Sequence, residues 1–352
     1  MIAFEQVSKR YADGTEAVEG LDLTIKAGEL TVLVGPSGCG KTTTLRMINR
    51  LETVSSGRIT VEERPIGQLD AIELRRGIGY VMQHSGLFPH RTVFDNIATV
   101  PRLLGWKKHA VRERVHELID TVGLSAAMAK RYPHQLSGGQ QQRVGVARAL
   151  AADPPILLMD EPFAAVDPIV RRRLQDELLD LQARLRKTIV FVTHDIDEAI
   201  RLGDRIAIFV VGGRLAQFDT PARLLAAPAD DFVADFLGRD RELKRLALLR
   251  VVDAPRMQNA PIVIVGERAS GDTPAESAWI VHQDDAGALI GWQGRDSDEP
   301  ARFDETVGHD TSLDRVLAAA LRSPIGAVPV IDPNGRLDGL IGPAELRRAL
   351  TQ

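Results

Sequence analysis

The chain has 352 residues, of which 44% are hydrophobic and 26% charged, and its formal net charge is −4. The length predicts two or three domains of roughly 100 to 200 residues, and the mildly negative charge argues against a nucleic-acid-binding protein. A single cysteine, Cys39, excludes an internal disulfide and a multi-cysteine metal site, and since neither a secretory leader nor a run of ~20 apolar residues is visible, we expect a cytoplasmic protein that does not itself span a membrane.

Four short apolar runs predict strands that are buried on both faces. They are rich in β-branched residues and too short for core helices, and they read LTVLVG (30–35), ILLMD (156–160), TIVFVTH (188–194) and RIAIFVVGG (205–213). Helical patterns lie between them, which predicts an α/β fold with a mostly parallel sheet. Residues from about 92 to 152 have helical spacing without a strand candidate, so we expect an inserted helical subdomain there.

The segment GPSGCGKTT (35–43) follows the first of these strands and precedes a helical pattern. It has the spacing of a phosphate-binding loop, in which glycines let backbone N–H groups surround phosphate oxygens at the positive end of a helix. We expect Lys41 to neutralise β- and γ-phosphate oxygens and the Thr42 hydroxyl to bind Mg²⁺. The glycines concerned are Gly35, Gly38 and Gly40. A plain glycine turn would explain neither the lysine nor the hydroxyl.

Two acids and a histidine follow other predicted strands. Asp160 ends the strand ILLMD and suits a Mg²⁺ ligand, and Glu161 comes directly after it, where it is placed to take a proton from an attacking water. His194 follows the strand TIVFV, where its ring is within reach of a γ-phosphate. Because the chain also carries a phosphate-binding loop, these three side chains are candidates for the chemistry of nucleotide hydrolysis.

A second glycine-rich turn, LSGGQ (136–140), is followed by QQRVGVARAL. With the phosphate loop and the acids, this turn resembles the signature of the nucleotide-binding subunits of ATP-binding cassette (ABC) transporters. The resemblance implies a P-loop ATPase that forms a head-to-tail homodimer, in which the signature of one subunit closes over ATP held by the other. The residues that would do so are Ser137, Gly138, Gly139 and Gln140.

The same resemblance covers roughly residues 1–240 and assigns further roles. Tyr11 matches the aromatic residue that stacks on adenine, and Gln83 matches the glutamine that contacts Mg²⁺ or water and relays movement of the membrane domain. Asp167, in FAAVD, matches the loop that contacts the other subunit, although the family more often has Ser-Ala-Leu-Asp or Gly-Ala-Leu-Asp there. The phosphate loop as a whole is implied to bind the nucleotide, including Ser37, Cys39 and Thr43.

The family also implies cofactors, partners and a location. The expected cofactors are ATP and Mg²⁺, and the expected partners are integral membrane permease subunits and, indirectly, an extracytoplasmic substrate-binding protein. The chain would then lie peripherally on the cytoplasmic face of the cell membrane, without a nucleic-acid partner. A phosphate-loop kinase would not need the signature turn, and a GTPase should carry an Asn-Lys-x-Asp motif, which is not found in the sequence.

Within this family the chain is most similar to the ATPases of importers for glycine betaine, choline, carnitine or proline. The likeness lies in SGLFPHRTVFDNIA (85–98), MDEPFAAVDP (159–168) and DDFVADFLGRDRELKRL (230–246). The first two segments also suit other importers, so uptake of an amino acid, a polyamine or a sugar stays open.

The tail, residues 241–352, contains an internal repeat. DDAGALIG (284–291) and DPNGRLDG (332–339) share Asp, Gly, Leu and Gly at equal offsets, and each predicts a strand, a tight turn and a strand. SLDRVLAAALRS (312–323) predicts an amphipathic helix, whereas the aligned ERASGDTPA (267–275) does not. The resemblance implies a pair of cystathionine-β-synthase (CBS)-type α+β modules, at about 250–305 and 306–352.

The residues that such modules use for adenosine do not match here. A Ser or Thr is expected after the last strand, with an Asp three residues later. The second module has Gly342 and Glu345, and the first has Gly294 and Ser297. Three roles for the tail therefore stay open: sensing of ionic strength, binding of another ligand, or dimerisation alone.

Cys39 has two interpretations. At the start of a helix its thiol would be acidic, and its modification would block ATP binding. Alternatively it is a small filler, since this position of the loop accepts many residues.

Overall fold

The computed structural model describes residues 1–82, 86–164, 166–258, 260, 262–264, 279–294 and 301–351. The chain divides into two compact units, Met1–Phe236 and Leu237–Gln352. Among the residues that the structure describes, no helix has both the length and the apolar character needed to cross a bilayer.

Fifteen strands are present in the described part of the chain. In chain order they are β1 (Ile2–Arg10), β2 (Glu16–Ile25), β3 (Leu30–Val34), β4 (Ser56–Val61), β5 (Arg64–Pro65), β6 (Ile78–Val81), β7 (Ile156–Asp160), β8 (Thr188–Val192), β9 (Arg205–Phe209), β10 (Leu215–Asp219), β11 (Ile262–Ile264), β12 (Trp279–Gln283), β13 (Leu289–Gly294), β14 (Val328–Ile331) and β15 (Leu337–Ile341).

Thirteen α-helices accompany them among the same residues. They are α1 (Lys41–Ile48), α2 (Ala71–Arg76), α3 (Val93–Ile97), α4 (Thr99–Leu103), α5 (Lys108–Thr121), α6 (Gly138–Leu150), α7 (Pro168–Leu185), α8 (Ile196–Leu202), α9 (Pro221–Ala226), α10 (Asp231–Leu237), α11 (Arg241–Leu248), α12 (Leu313–Arg322) and α13 (Pro343–Thr351).

A six-stranded sheet with the order β10-β9-β3-β8-β7-β6 forms the centre of the first unit. All its neighbouring pairs are parallel except β10 with β9. The four predicted strands are its β3, β7, β8 and β9, and every residue of β3, β7 and β8 is buried. Helices cover both faces of a parallel sheet, which is why these strands are apolar throughout rather than alternating.

An antiparallel sheet with the order β2-β1-β4-β5 lies against the first sheet. Apolar residues of β1, β2 and β4 share one buried cluster with residues of β3, β7, β8 and β9. Helix α1 lies in this core, because it contacts β2 of one sheet and β7 and β8 of the other. The helix that follows the phosphate loop is therefore held from both sides.

Residues 92–152 contain helices α3 to α6 and no strand. Thr92 begins this region by capping α3, its hydroxyl accepting a hydrogen bond from the Asp95 N–H at 3.1 Å. Helix α6 contacts α3, α5 and β6, which joins the helices to the edge of the parallel sheet. The helical character predicted for this stretch is confirmed.

The second unit contains the two predicted hairpins, β12–β13 and β14–β15. In each turn the repeated aspartate, Asp284 or Asp332, accepts two backbone N–H groups at 2.7–3.0 Å. The repeated glycines, Gly287 and Gly335, have φ of +83° and +80°, where other residues are strained. The shared Asp and Gly therefore form the same type of turn in both hairpins.

The two hairpins also pack together. The Leu337 N–H donates to the Gly287 carbonyl at 2.9 Å, and Ala288 bridges Arg336 in antiparallel fashion. A segment before each hairpin pairs in parallel with its first strand, namely β11 with β12 and Val307 with Val330. The predicted helix at 312–323 is confirmed as α12, whereas the aligned stretch 267–275 lies outside the described residues.

Candidate functional site

The phosphate loop joins β3 to α1 and turns through three glycines with positive φ. These values are +153° at Gly35, +80° at Gly38 and +86° at Gly40. Gly40 is the most constrained, since a Cβ there would lie 2.0 Å from the Ala17 carbonyl oxygen. At Gly38 a Cβ would meet no atom within 4 Å, and Ser37 beside it is exposed, so this side of the loop is accessible to a ligand.

Lys41 is the first residue of α1, and its side chain folds into the loop. Its Nζ donates to the carbonyl oxygens of Gly35 at 2.8 Å and Pro36 at 2.9 Å, and the residue is only 6% exposed. The ammonium group is therefore fixed at the centre of the loop by the backbone that surrounds it. A cation in this position complements an anionic ligand bound by the loop's N–H groups.

Cys39 is buried completely beneath the same loop. Burial raises the pKa of its thiol, and the neighbouring Lys41 charge, with Nζ 3.6 Å from Sγ, only partly offsets that effect. The interpretation of Cys39 as an acidic, reactive thiol is wrong, because desolvation outweighs the positive neighbour. Cys39 is a packing residue in the core under the loop.

Asp160 ends β7 next to the start of α1. Its Oδ1 accepts a hydrogen bond from the Thr42 hydroxyl at 2.8 Å, and its Oδ2 accepts one from the Tyr80 hydroxyl at 3.4 Å. Two oxygen ligands of the kind that Mg²⁺ prefers are thus adjacent at the end of the loop. Gln83, the third predicted ligand, lies outside the described residues.

Glu161 follows Asp160 and adopts a left-handed backbone with φ +45°. Its N–H donates to the Val192 carbonyl at 3.0 Å, which ties it to the end of β8. Its Oε2 lies 3.2 Å from His194 Nδ1. A left-handed backbone costs a non-glycine residue roughly 1–3 kcal/mol, and at Glu161 the hydrogen bond to the end of β8 helps to hold it.

Tyr11 is the first residue after β1. Its hydroxyl is 3.3 Å from Thr43 Oγ1, and the residue is 36% exposed. It borders a cleft of about 340 Å³, a volume in the range of small-molecule sites. The cleft is lined by Tyr11, Thr15, Ala17, Ser37, Gly38, Cys39, Gly40, Lys41, Thr42, Thr43 and Glu161.

The signature residues lie elsewhere in the chain. The Ser137 hydroxyl accepts from the Gln140 N–H at 3.3 Å while the Gln140 side chain accepts from the Ser137 N–H at 3.0 Å, which forms a capping box at the start of α6. Gly138 and Gly139 are the first helical residues, whose N–H groups have no partner within a helix. None of these four residues lines the cleft.

Asp167 likewise starts a helix rather than lining the cleft. Its Oδ1 accepts from the Ile169 N–H at 2.9 Å and the Val170 N–H at 3.5 Å, which caps α7. The structure therefore assembles the loop, Asp160, Glu161, His194 and Tyr11 in one chain, and leaves the signature and Asp167 on separate helix starts.

The chain is similar to known proteins over most of its length. The family model described as ABC transporter matches residues 18–164. The osmoprotectant import ATP-binding protein OsmV of Salmonella typhimurium is 44% identical over 97% of this chain and 94% of its own length. The glycine betaine/carnitine/choline transport ATP-binding protein OpuCA of Bacillus subtilis is 50% identical over 76% of this chain and 70% of its own length.

A solved structure is similar in fold to part of this chain. The ATP-binding cassette MJ0796, a dimer in a post-hydrolysis state bound to ADP and Pi, is similar with a TM-score of 0.57 and 34% identity. The similarity covers 63% of this chain and 99% of that one.

One buried acid near His194 is missed by motif analysis. Glu198 on α8 is 7% exposed, and its Oε1 accepts from Gln175 Nε2 of α7 at 2.9 Å. Burial raises the pKa of the Glu198 carboxyl, against hydrogen bonds from Thr193 and Gln175 that lower it. The only sequence signal is an acid beside the apolar residues of a short helix, which does not distinguish a buried acid from an exposed one.

We expect Glu198→Gln to change how stability depends on pH. Because the folded state holds the Glu198 proton more tightly than the unfolded chain, wild-type stability falls as pH rises above the ordinary value of 4.5. Glutamine keeps the acceptor for Gln175 and cannot ionise, so the Tm of the variant relative to wild type should rise over the same range. Arg171 and Asp195, the charged neighbours of Glu198, stay in place in both proteins.

Thermal unfolding followed by circular dichroism from about pH 3 upward tests this. Asp70→Asn is the matched control of opposite sign, since the N–H groups of Glu73 and Ile72 lower the pKa of Asp70. Its Tm relative to wild type should fall as pH rises toward and through the ordinary value of 3.8, and then level off. A pH-independent Tm difference for Glu198→Gln would contradict the expectation.

Proposed function

The chain belongs to the ABC transporter family as an ATP-binding subunit, and from this premise we propose that it is the ATPase motor of an importer for osmoprotectants such as glycine betaine, choline, carnitine or proline. The osmoprotectant assignment is supported by how much of the chain the similarity covers. An osmoprotectant import subunit matches 97% of the chain, which takes in the second unit as well as the cassette. A shared motor alone would not distinguish one cargo from another.

We propose that the triphosphate lies along the phosphate loop, with the adenine against Tyr11. Lys41 would meet the β- and γ-phosphate oxygens from inside the loop, and the N–H groups at the start of α1 would face the same charge. Thr42 and Asp160 would hold Mg²⁺, together with Gln83; the bound ion would neutralise charge that develops on the phosphates. The adjacency of the Thr42 and Asp160 oxygens supports this assignment.

Glu161 is the proposed general base. A carboxylate at the edge of the cleft would accept the proton of the water that attacks the γ-phosphate. His194 Nδ1 lies against Glu161, which leaves the other side of the imidazole for a γ-phosphate oxygen. The pair is thus suited to position the water and to sense whether the γ-phosphate is still attached.

The complete site is proposed to require a second copy of the chain. Ser137, Gly138 and Gly139 present a helix start that does not line the cleft of their own chain, and in a head-to-tail dimer this helix start would close over the partner's γ-phosphate. Twofold symmetry then gives two equivalent composite sites. Asp167, at the start of α7, is placed by the same proposal at the contact between subunits.

Closing and opening of this dimer would be transmitted to permease subunits through the Gln83 region. The chain is then a peripheral protein of the cytoplasmic membrane face, and a substrate-binding protein delivers the cargo outside. The work of the ATPase is mechanical, since its own cleft is occupied by nucleotide rather than by cargo.

For the tail we propose a degenerate CBS-type pair with a regulatory or dimerisation role. The two hairpins with identical turn chemistry support the pairing. Glu345 is turned inward, where its Oε2 accepts from the Gly342 N–H at 3.1 Å and the residue is 2% exposed. It is therefore not available to a ribose hydroxyl, which speaks against adenosine binding by the usual route.

Glu161→Gln should lower steady-state hydrolysis by about 10²-fold or more, the effect expected for the loss of a general base. ATP binding should persist, because glutamine is isosteric, and an ATP-bound dimer should accumulate. Phosphate release and light scattering with ATP measure both effects. Glu63→Gln is the control, since Glu63 also has a positive φ but does not line the cleft. A variant that stays monomeric with ATP would count against the composite site.

Ser137→Arg should abolish steady hydrolysis while leaving ATP binding by the monomer intact, because Ser137 lies outside the cleft of its own chain. Thr220→Arg is the matched control: it removes the cap of α9, whose hydroxyl accepts from the Arg223 N–H at 3.4 Å. Both substitutions remove an exposed helix cap, a loss of about 1 kcal/mol. If Ser137→Arg hydrolyses ATP as fast as Thr220→Arg, the signature does not act in catalysis.

Uptake of labelled glycine betaine tests the cargo. In cells that lack the chain, wild type and Glu63→Gln should restore uptake, more strongly at high osmolarity, and Glu161→Gln should not. If cells that lack the chain take up glycine betaine as fast as the complemented cells, the osmoprotectant assignment is wrong, although the chain could still be an ATPase motor for another cargo. Competition by an amino acid, a polyamine or a sugar would then identify the class of cargo.

A further inference from the structure

The cleft residue Tyr11 has a buried cation over its ring. Lys9 lies near the end of β1, and Tyr11 is the first residue after that strand. Lys9 Nζ lies 4.9 Å from the centroid of the Tyr11 ring, within the distance of a cation–π interaction. Lys9 is only 8% exposed, which is unusual for a lysine.

The ammonium group is fixed by two further contacts. Its Nζ donates to the Thr53 carbonyl oxygen at 2.9 Å and lies 3.2 Å from Glu52 Oε2. These partners follow α1, so they hold Lys9 from the side of the core. The charge over the Tyr11 ring is therefore built into the fold and is not a mobile surface charge.

The hydroxyl and the backbone N–H of Tyr11 also make contacts. Its hydroxyl is 3.3 Å from Thr43 Oγ1, and its N–H donates to the Thr15 carbonyl at 2.9 Å. With Lys9 over one face, the hydroxyl and the backbone both fixed, the ring has a defined plane. A ring ordered before a ligand arrives loses less freedom on binding.

We propose that Lys9 is a positioning residue for adenine recognition: it covers one face of the Tyr11 ring and leaves the opposite face as the platform for the base. The inference rests on the proposed placement of adenine against Tyr11. A cation on the far side withdraws electron density from the ring, and the face turned to the adenine becomes less negative. Stacking of two π-systems is then less repulsive.

This role differs from an attraction between Lys9 and the phosphates. Lys9 is paired with Glu52, so the pair carries no net charge, and it does not line the cleft. The effect of Lys9 should therefore depend on the Tyr11 ring and on the base, and not on the triphosphate.

The test is a double-mutant cycle on the full-length chain with Lys9→Met and Tyr11→Leu. Lys9→Met should raise the Kd for ATP by about three- to tenfold and raise the KM for ATP hydrolysis similarly, with kcat little changed. Lys9→Arg should restore the affinity, since a guanidinium also binds an aromatic face. In the Tyr11→Leu background Lys9→Met should have no further effect.

Inorganic tripolyphosphate is the control ligand, because it engages the phosphate loop and has no base. Its Kd should be the same for wild type, Lys9→Met and Lys9→Arg, and Tm values would show that each variant is folded. If Lys9→Met weakens tripolyphosphate as much as ATP, or acts equally without the Tyr11 ring, the inference is overturned.

The same cycle tests the proposed adenine site at Tyr11 separately from the role of Lys9. If Tyr11→Leu leaves the Kd for ATP unchanged, the proposed adenine site itself is wrong. If Tyr11→Leu weakens ATP while Lys9→Met does not, the adenine site stands and the role of Lys9 is rejected.

Discussion

The parallel pairing of β3, β8 and β7 is the constraint on which the candidate site depends. Because β8 lies between the other two and all three run in the same direction, their carboxyl ends meet at one edge of the sheet. The phosphate loop, His194 and the Asp160–Glu161 pair follow these three ends. Residues more than a hundred positions apart in the chain are thereby brought within hydrogen-bond distance, as between Thr42 and Asp160. This is the position in which open α/β sheets bind ligands.

Much of this arrangement was predictable because it depends on local chemistry. Continuous apolar runs identify β3, β7 and β8, and the spacing of glycines, lysine and threonine identifies the loop between β3 and α1. The environment of single side chains was not predictable. Cys39 was open to two interpretations, since its position at a helix start lowers a thiol pKa while burial raises it, and only packing decides which effect is larger. The burial of Lys9 and Glu198 was not predictable either, because it depends on partners that are distant in sequence.

The role of the signature turn, residues 136–140, could not be derived from the structure of one chain. In a single chain Ser137 and Gln140 satisfy each other in a capping box, so the turn has a complete local explanation that involves no ligand. In the proposed head-to-tail dimer this turn would face the partner's ATP, which would account for its position away from the cleft of its own chain. A helix start that is already capped would have its N–H donors ordered before the subunits close, and this would lower the entropy cost of that contact.

Helix α1 connects the two ends of the proposed nucleotide site through consecutive residues. The Thr42 hydroxyl reaches Asp160 at the metal end, and the Thr43 hydroxyl reaches Tyr11 at the adenine end. Successive residues of a helix point about 100° apart, so one turn can reach both sides of the cleft only if the helix is fixed in rotation. The packing of α1 between the two sheets supplies that restraint. Movement of α1 would therefore disturb base and phosphate recognition together. Lys9 is different, because it is held by Glu52 and Thr53, which follow the helix. A change at Lys9 would therefore alter the surroundings of the Tyr11 ring and leave the phosphate loop intact.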